Sequence, residues 1–211
     1  MELSKYGHAA VALVRDGRRL VVDAGGMTED AALVGAHAAL VTHEHFDHFD
    51  GQKLRAALAA DPEFEVWTNA AVAAQLEDAG PRVHIVGAGD EFTAAGFTVR
   101  VFGEWHAEVH QDIPRVGNVG FLIDGSVFHP GDAFTVPDEP VSTLLLPVHG
   151  PWSRVGQLVD WVREVEPNRC FAVHDGALND IGLAMVDRLL GEHGPSGTAL
   201  THLRPGEHIE L

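Results

Sequence analysis

An apolar run, Ala38 to Thr42, stops abruptly at His43-Glu44-His45-Phe46-Asp47-His48. The periodicity reads as a short buried strand, and the fold must carry the end of that strand out to a rim where its loop can sit. Four potential ligands within six residues of such a loop converge on a small volume. Imidazole together with carboxylate is the donor set favoured by zinc, iron or manganese over calcium. A solvated polar loop rich in His is the competing reading, and it explains neither the compactness of the cluster nor its placement.

A metal site this rich needs further ligands, and other strand ends supply candidates. His106 follows an apolar run at Phe97 to Phe102, Asp132 follows Ser126 to Phe128 in FHPGD, and His174 ends Phe171 to Val173 in AVHDG. Each alone is equally readable as a hydrogen-bonded structural His or a turn-forming Asp. Together with the first cluster they describe ligands delivered from several strand ends onto one rim, the way sheet scaffolds build sites. The chain has 14 His, as many as its Lys and Arg combined.

The remaining pattern is of short β-rich runs alternating with helices in both halves. Val11 to Val14 and Leu20 to Asp23 flank a turn at Asp16-Gly17, and Val119 to Asp124 and Ser126 to Phe128 flank another at Asp124-Gly125, two hairpin signals. Phe64 to Trp67, Val83 to Val86, Leu144 to Val148 and Phe171 to Val173 read as further strands. Helices are expected after a cap at Asp50, with Leu54, Ala57 and Leu58 on one face, from about Asn69 to Ala79 before Gly80-Pro81, over Ser153 to Val165 and over Asp180 to Leu190. In the third, Val155, Leu158, Val159 and Val162 lie at helical spacing. The expectation is two β-sheets packed together with helices outside, a layered α/β arrangement. At 211 residues the whole chain, 1–211, is expected to be one domain.

With these residues in place the sequence resembles the metallo-β-lactamase-fold hydrolases. The likeness rests on THEHFDH at 42–48, the His at 106, HPGD at 129–132 and the His at 174, in that order across most of the chain. Gly7-His8, LVVDAGG at 20–26 and the short length are most similar to the branch containing ascorbate-6-phosphate lactonase. The resemblance implies an α/β fold, a four-layer αβ/βα sandwich with a two-metal site at one edge of the sheets. Carried over by position, His43, His45 and His106 bind the first ion, Asp47, His48 and His174 the second, and Asp132 bridges. Zinc is the first expectation, with manganese, iron or nickel as alternatives. The implied activity is hydrolysis of an ester, lactone, phosphoester or related bond in a small molecule by a hydroxide held between the two metals, with Asp47 orienting it and taking its proton.

Other residues carry two readings. His149, in LLLPVHGPW, reads as a substrate contact or proton donor, or as a structural His in a Pro-Gly loop. His8 and His129 read as rim residues or as structural ones, and Asp23 as a partner orienting a ligand imidazole or as a turn former. His110 competes with His106 as third ligand, and His106 is favoured because it lies closer to its strand end. His37, His84, His193, His202 and His208 have no constellation around them, and Cys170 reads as a buried small hydrophobe.

Composition narrows the function. With 14 Lys+Arg against 31 Asp+Glu the formal charge is −17, which disfavours nucleic acid and anionic membrane as partners and leaves a small-molecule substrate. A single cysteine fits a reducing compartment, and the opening MELSKYGHAAVALV lacks a signal-peptide pattern, so a cytoplasmic location is expected. Homo-oligomerisation is left open. Two alternatives stand beside hydrolysis: a di-iron electron-transfer protein on the same fold, whose relatives place a carboxylate where this chain has His45, and a non-catalytic metal-binding or sensing module.

Overall fold

A computed structural model describes residues 1–211. Six strands, β1 (Glu2–Lys5), β2 (Val11–Arg15), β3 (Arg18–Val22), β4 (Ala38–Val41), β5 (Glu65–Thr68) and β6 (Val83–Ile85), lie side by side in chain order. The next seven, β7 (Glu91–Ala94), β8 (Phe97–Phe102), β9 (Gly120–Ile123), β10 (Val127–His129), β11 (Thr143–Pro147), β12 (Arg169–Val173) and β13 (Leu200–Thr201), form a second sheet, also in chain order. The last strand, β14 (His208–Glu210), returns to pair with β1. Each sheet begins as an antiparallel meander and turns parallel partway: β3 pairs parallel with β4, and β10 parallel with β11.

The hairpins follow from turn chemistry. Asp16 and Gly17 both have positive φ, as do Asp124 and Gly125, the pairing that matches a two-residue turn to strand twist. Parallel pairs need crossovers, and helices supply several of them: α1 (Gly51–Ala60), α2 (Ala70–Gln75) and α3 (Val155–Val165). A fourth helix, α4 (Asp180–Leu190), joins β12 to β13. Asp50 caps α1, accepting from the backbone N–H of Gln52 at 2.9 Å and Lys53 at 3.1 Å.

Three apolar clusters define the layers. Leu13, Leu20 and Leu40 from the first sheet meet Val99, Phe121 and Phe171 from the second in the central core. The outer face of the first sheet, with Val21, Ala39 and Val66, is covered by Leu54 and Leu58 of α1 and Val72 of α2. The outer face of the second, with Leu144, Leu146 and Ala172, is covered by Leu158 and Val162 of α3 and Val186 of α4. The result is an αβ/βα sandwich, as expected. Cys170 sits in the last of these clusters with its thiol pushed up to about 12 by burial.

Several boundaries differ from the sequence reading. The second helix ends at Gln75, and Glu77–Arg82 continues as a tighter 3-10 turn broken where Gly80 takes φ 76° ahead of Pro81. The third starts at Val155 rather than Ser153, and Val155 stands 43% exposed, so the buried stripe begins at Leu158. Strands β1, β7, β13 and β14 carry no readable alternation of their own and are defined by their partners.

Candidate metal centre

The C-terminal ends of β4, β10 and β12, and the loop after β8, meet at one rim between the sheets, bringing together the seven residues expected to bind metal. Asp132 is at the centre: its Oδ2 lies 3.1 Å from His174 Nε2, 3.4 Å from His106 Nε2 and 3.9 Å from His43 Nε2. Its Oδ1 lies 3.2 Å from His48 Nε2. His45 Nδ1 approaches His43 Nε2 at 3.1 Å, and Asp47 Oδ2 lies 3.3 Å from His174 Nε2. Three groups result, His43, His45, His106 and Asp132, then His48, Asp132 and His174, then His8, Asp47 and His174, with the ligand atoms in each within 4.8 Å of one another.

Backbone geometry makes this convergence achievable. A Cβ at Gly25 would overlap the backbone of Asp47, so the His-rich loop can cross there only over glycine. Gly131, at φ 63°, packs against Thr42 and Asn118 and turns the chain so that Asp132 faces the rim. Asp23 and His174 are themselves in the left-handed region, at φ 55° and 59°, uncommon for residues other than glycine.

A hydrogen-bond network orients the imidazoles. Asp23, fully buried, accepts from the backbone N–H and the hydroxyl of Thr42, both at 2.8 Å, and from His48 Nδ1 at 2.7 Å. With its proton given to Asp23, the Thr42 hydroxyl is left to accept from His43 Nδ1 at 2.9 Å. His106 Nδ1 donates to the carbonyl of Ala107 at 2.6 Å. In all three neutral rings the proton is thereby held on Nδ1 and the Nε2 lone pair faces the centre, where that of His43 accepts from His45 Nδ1. The Nε2 atoms of His48, His106 and His174 and Oδ1 of Asp132 are buried without a hydrogen-bond partner, an expensive arrangement unless something else satisfies them. That donor set fits divalent cations.

Electrostatics in the metal-free protein follow from the same contacts. Burial opposes charge on His48 and His174, but the carboxylates outweigh it: Asp132 and Asp23 raise His48 well above its ordinary value, and Asp132 and Asp47 raise His174 to about 9. Burial lowers His43 well below the usual range. Asp47 and Asp132 are both held down by the surrounding imidazoles despite burial.

Other candidates separate here. His8 stands against the centre, its ring centroid 3.9 Å from that of His174 and its Nε2 3.3 Å from Asp47 Oδ2. Gly176 donates its backbone N–H to His8 Nδ1 at 3.0 Å, so neutral His8 carries its proton on Nε2 and offers no lone pair there. His129 is structural: Gly131 N–H donates to its Nδ1 at 3.2 Å and its Nε2 donates to Ala9 O at 3.1 Å. His110 is exposed and accepts from the backbone N–H of Asp112, away from the cluster. His149 is exposed at the mouth of the cavity that the cluster floors. His37, His84, His202 and His208 pair locally with Arg19, Glu65, Asp187 and Glu2.

Two contributors carried no sequence signal. Asn118 accepts the Asp132 backbone N–H at 3.0 Å and donates to Pro130 O at 2.8 Å, and Trp152 donates from Nε1 to Asp132 Oδ2 at 2.9 Å. The cavity above the cluster has a volume of about 450 Å³. A larger cleft of about 570 Å³, beside α1, contains none of the clustered residues.

The paired sheets and outer helices form the metallo-β-lactamase fold, with the rim of imidazole and carboxylate groups at its edge. The family described as beta-lactamase superfamily domain matches residues 2–174, and the chain belongs to it. It is 35% identical to protein Rv0786c of Mycobacterium tuberculosis over 82% of this chain and 84% of that protein. Among solved structures it is similar to Igni18, a metallo hydrolase from Ignicoccus hospitalis, at TM-score 0.71 and 17% identity, covering 100% of this chain and 98% of that one. It is also similar to YhfI, a metallo-beta-lactamase fold protein from Bacillus subtilis, at TM-score 0.71 and 13% identity, covering 99% and 98%. No helix is long and apolar enough to cross a membrane.

Proposed function

We propose that this protein is a metal-dependent hydrolase of a small molecule. His43, His45 and His106 hold one divalent cation, Asp47, His48 and His174 a second, and Asp132 is shared. The observation that carries the reading is the set of buried, unpartnered atoms, Nε2 of His48, His106 and His174 and Oδ1 of Asp132, turned towards one another with their opposite ring nitrogens tied down where a bond exists. Zinc heads the candidates, with manganese, iron and nickel behind it. Two such cations supply Lewis acidity: they polarise the oxygen of a scissile carbonyl or phosphoryl group and make water a nucleophile near neutral pH.

The chain's own groups do the rest. Asp47, its side chain 16% exposed, reaches the cavity and takes the proton of the attacking water at Oδ1, because Oδ2 faces His8 and His174. Trp152 keeps water off one side of Asp132 and fixes its carboxylate through Nε1. His149 at the mouth returns a proton to the leaving group. Gly7-His8 and the LVVDAGG segment support a place near the ascorbate-6-phosphate lactonase branch, and the −17 charge supports a small, non-polymeric substrate.

The test is metal stoichiometry measured together with turnover on esters, lactones, thioesters and phosphodiesters. About two cations per chain with turnover on one bond class is expected. Full metal content without turnover on any of them supports a binding or sensing module instead. Iron with a visible charge-transfer band that reacts with oxygen supports redox chemistry.

His8 adds a narrower expectation. As a fixed N–H beside Asp47, it orients that carboxylate and is not itself a ligand. His8→Ala should weaken the second cation by roughly 10–100-fold in chelator competition and leave the first at wild-type affinity. Loss of both in parallel would mean that His8 acts on the fold rather than on Asp47.

A further inference from the structure

We infer that the substrate of this site is an uncharged molecule whose non-reacting body is apolar, such as an alkyl- or aryl-substituted ester or lactone without a phosphate or carboxylate. The inference rests on the hydrolase reading above and names the substrate class for it.

The cavity wall carries the argument. Apart from the clustered groups, His8 and His149, its side-chain lining is Met27, Phe46, Val109, Pro151, Trp152 and Ala177, and it includes no Lys or Arg. Of the cations near these residues in the chain, Arg154, two residues past Trp152, is exposed and outside the lining, and three others are committed elsewhere. Lys5 donates to Ala172 O at 2.8 Å and Asp175 at 2.9 Å, Lys53 donates to Thr28 O at 2.5 Å, and Arg115 donates to His106 O at 2.9 Å. An anionic group at the far end of a substrate would therefore lose its hydration without meeting a charge-assisted donor. It would do so inside a protein of formal charge −17.

The mouth points the same way. Phe46 is 70% exposed and Met27 39%, two large apolar side chains flanking the entrance. Phe46 lies between His45 and Asp47, so a body resting on its ring is next to the scissile bond. An apolar substituent covers both side chains and gains by removing them from water. A volume of about 450 Å³ lies within the range of small-molecule sites, so the body is that of a single small molecule rather than a polymer.

Hydroxamates test this apart from turnover, because they bind through the cations whatever bond the enzyme cleaves. On metal-loaded protein, affinity from acetohydroxamate to hexanohydroxamate should rise about fourfold per methylene. An ω-carboxylate on the same chain should cost about tenfold or more, and Val109→Lys should remove most of that penalty. Affinity independent of chain length, or tighter binding of the ω-carboxylate by the wild type, would overturn the inference while leaving the hydrolase reading intact. The expected chain-length dependence without turnover of any ester or lactone would keep the ligand class and remove the hydrolase reading. Two-cation protein that binds no hydroxamate overturns the inference.

Discussion

Asp132→Ala is expected to empty both cation positions and to lower turnover by on the order of a thousandfold or more, since several kcal/mol of transition-state stabilisation depend on the pair. The expectation comes from reach. Asp132 has His106 and His43 on one side at 3.4 and 3.9 Å, and His174 and His48 on the other at 3.1 and 3.2 Å. It is the carboxylate that belongs to two of the three ligand groups. His174 belongs only to the two groups without His43 and His45, so His174→Ala should remove mainly the second cation. Because alanine at a buried site can unfold a protein, Asp132→Asn is the companion variant: it keeps the volume and an oxygen for the Trp152 indole but loses the charge. Metal analysis of the purified variants, with circular dichroism to verify folding, separates these outcomes. Full occupancy of both positions in Asp132→Ala and His174→Ala alike would sink the assignment.

Some of this centre was legible because it is local. The cluster at 43–48 announces itself within six residues, and His106, Asp132 and His174 follow runs whose strand character is evident in Phe97 to Phe102, Ser126 to Phe128 and Phe171 to Val173. The two Asp-Gly turns were legible for a similar reason: positive φ at both positions demands particular residues. The layered fold followed from that alternation.

What stayed hidden is non-local or depends on a partner. Trp152 and Asn118 act on Asp132 across 20 and 14 residues, and nothing around either marks a site. His8 and His129 look alike in sequence, each beside glycine or proline. Only the chain brought against them separates an N–H facing Asp47 from a ring closed between Gly131 and Ala9. Strand β14 is an edge piece and β1 lies between it and β2, with Lys5 buried against Asp175, and their polar sequences become strands only through β2 and each other.

Asp23 is where fold and proposed chemistry are most tightly joined, and replacing it should damage both. Its carboxylate, fully buried, receives the Thr42 N–H and hydroxyl and His48 Nδ1, and through the Thr42 hydroxyl it also fixes His43. One side chain thus sets the tautomer of an imidazole in each of the two ligand groups that share Asp132. Asp23→Ala leaves these donors without an acceptor in an apolar interior, a loss of roughly 3–5 kcal/mol if His48 remains charged in the metal-free protein. At about 2–4 °C per kcal/mol for a domain of this size, the melting temperature of chelator-treated protein should fall by on the order of 10 °C. Affinity for both cations should fall roughly 10–100-fold, because neither His43 nor His48 is any longer held with its lone pair on Nε2. Asp23→Asn distinguishes charge from volume. Asparagine fits the space and tolerates the left-handed backbone, but in either orientation its amide sets N–H against a donor, Thr42 N–H on one side or His48 Nδ1–H on the other. It should therefore melt closer to wild type than Asp23→Ala while still binding metal weakly. Thermal unfolding with and without metal, paired with chelator titration of both variants, reads the two effects separately, and wild-type cation affinity in Asp23→Ala would show that the imidazoles orient themselves without it.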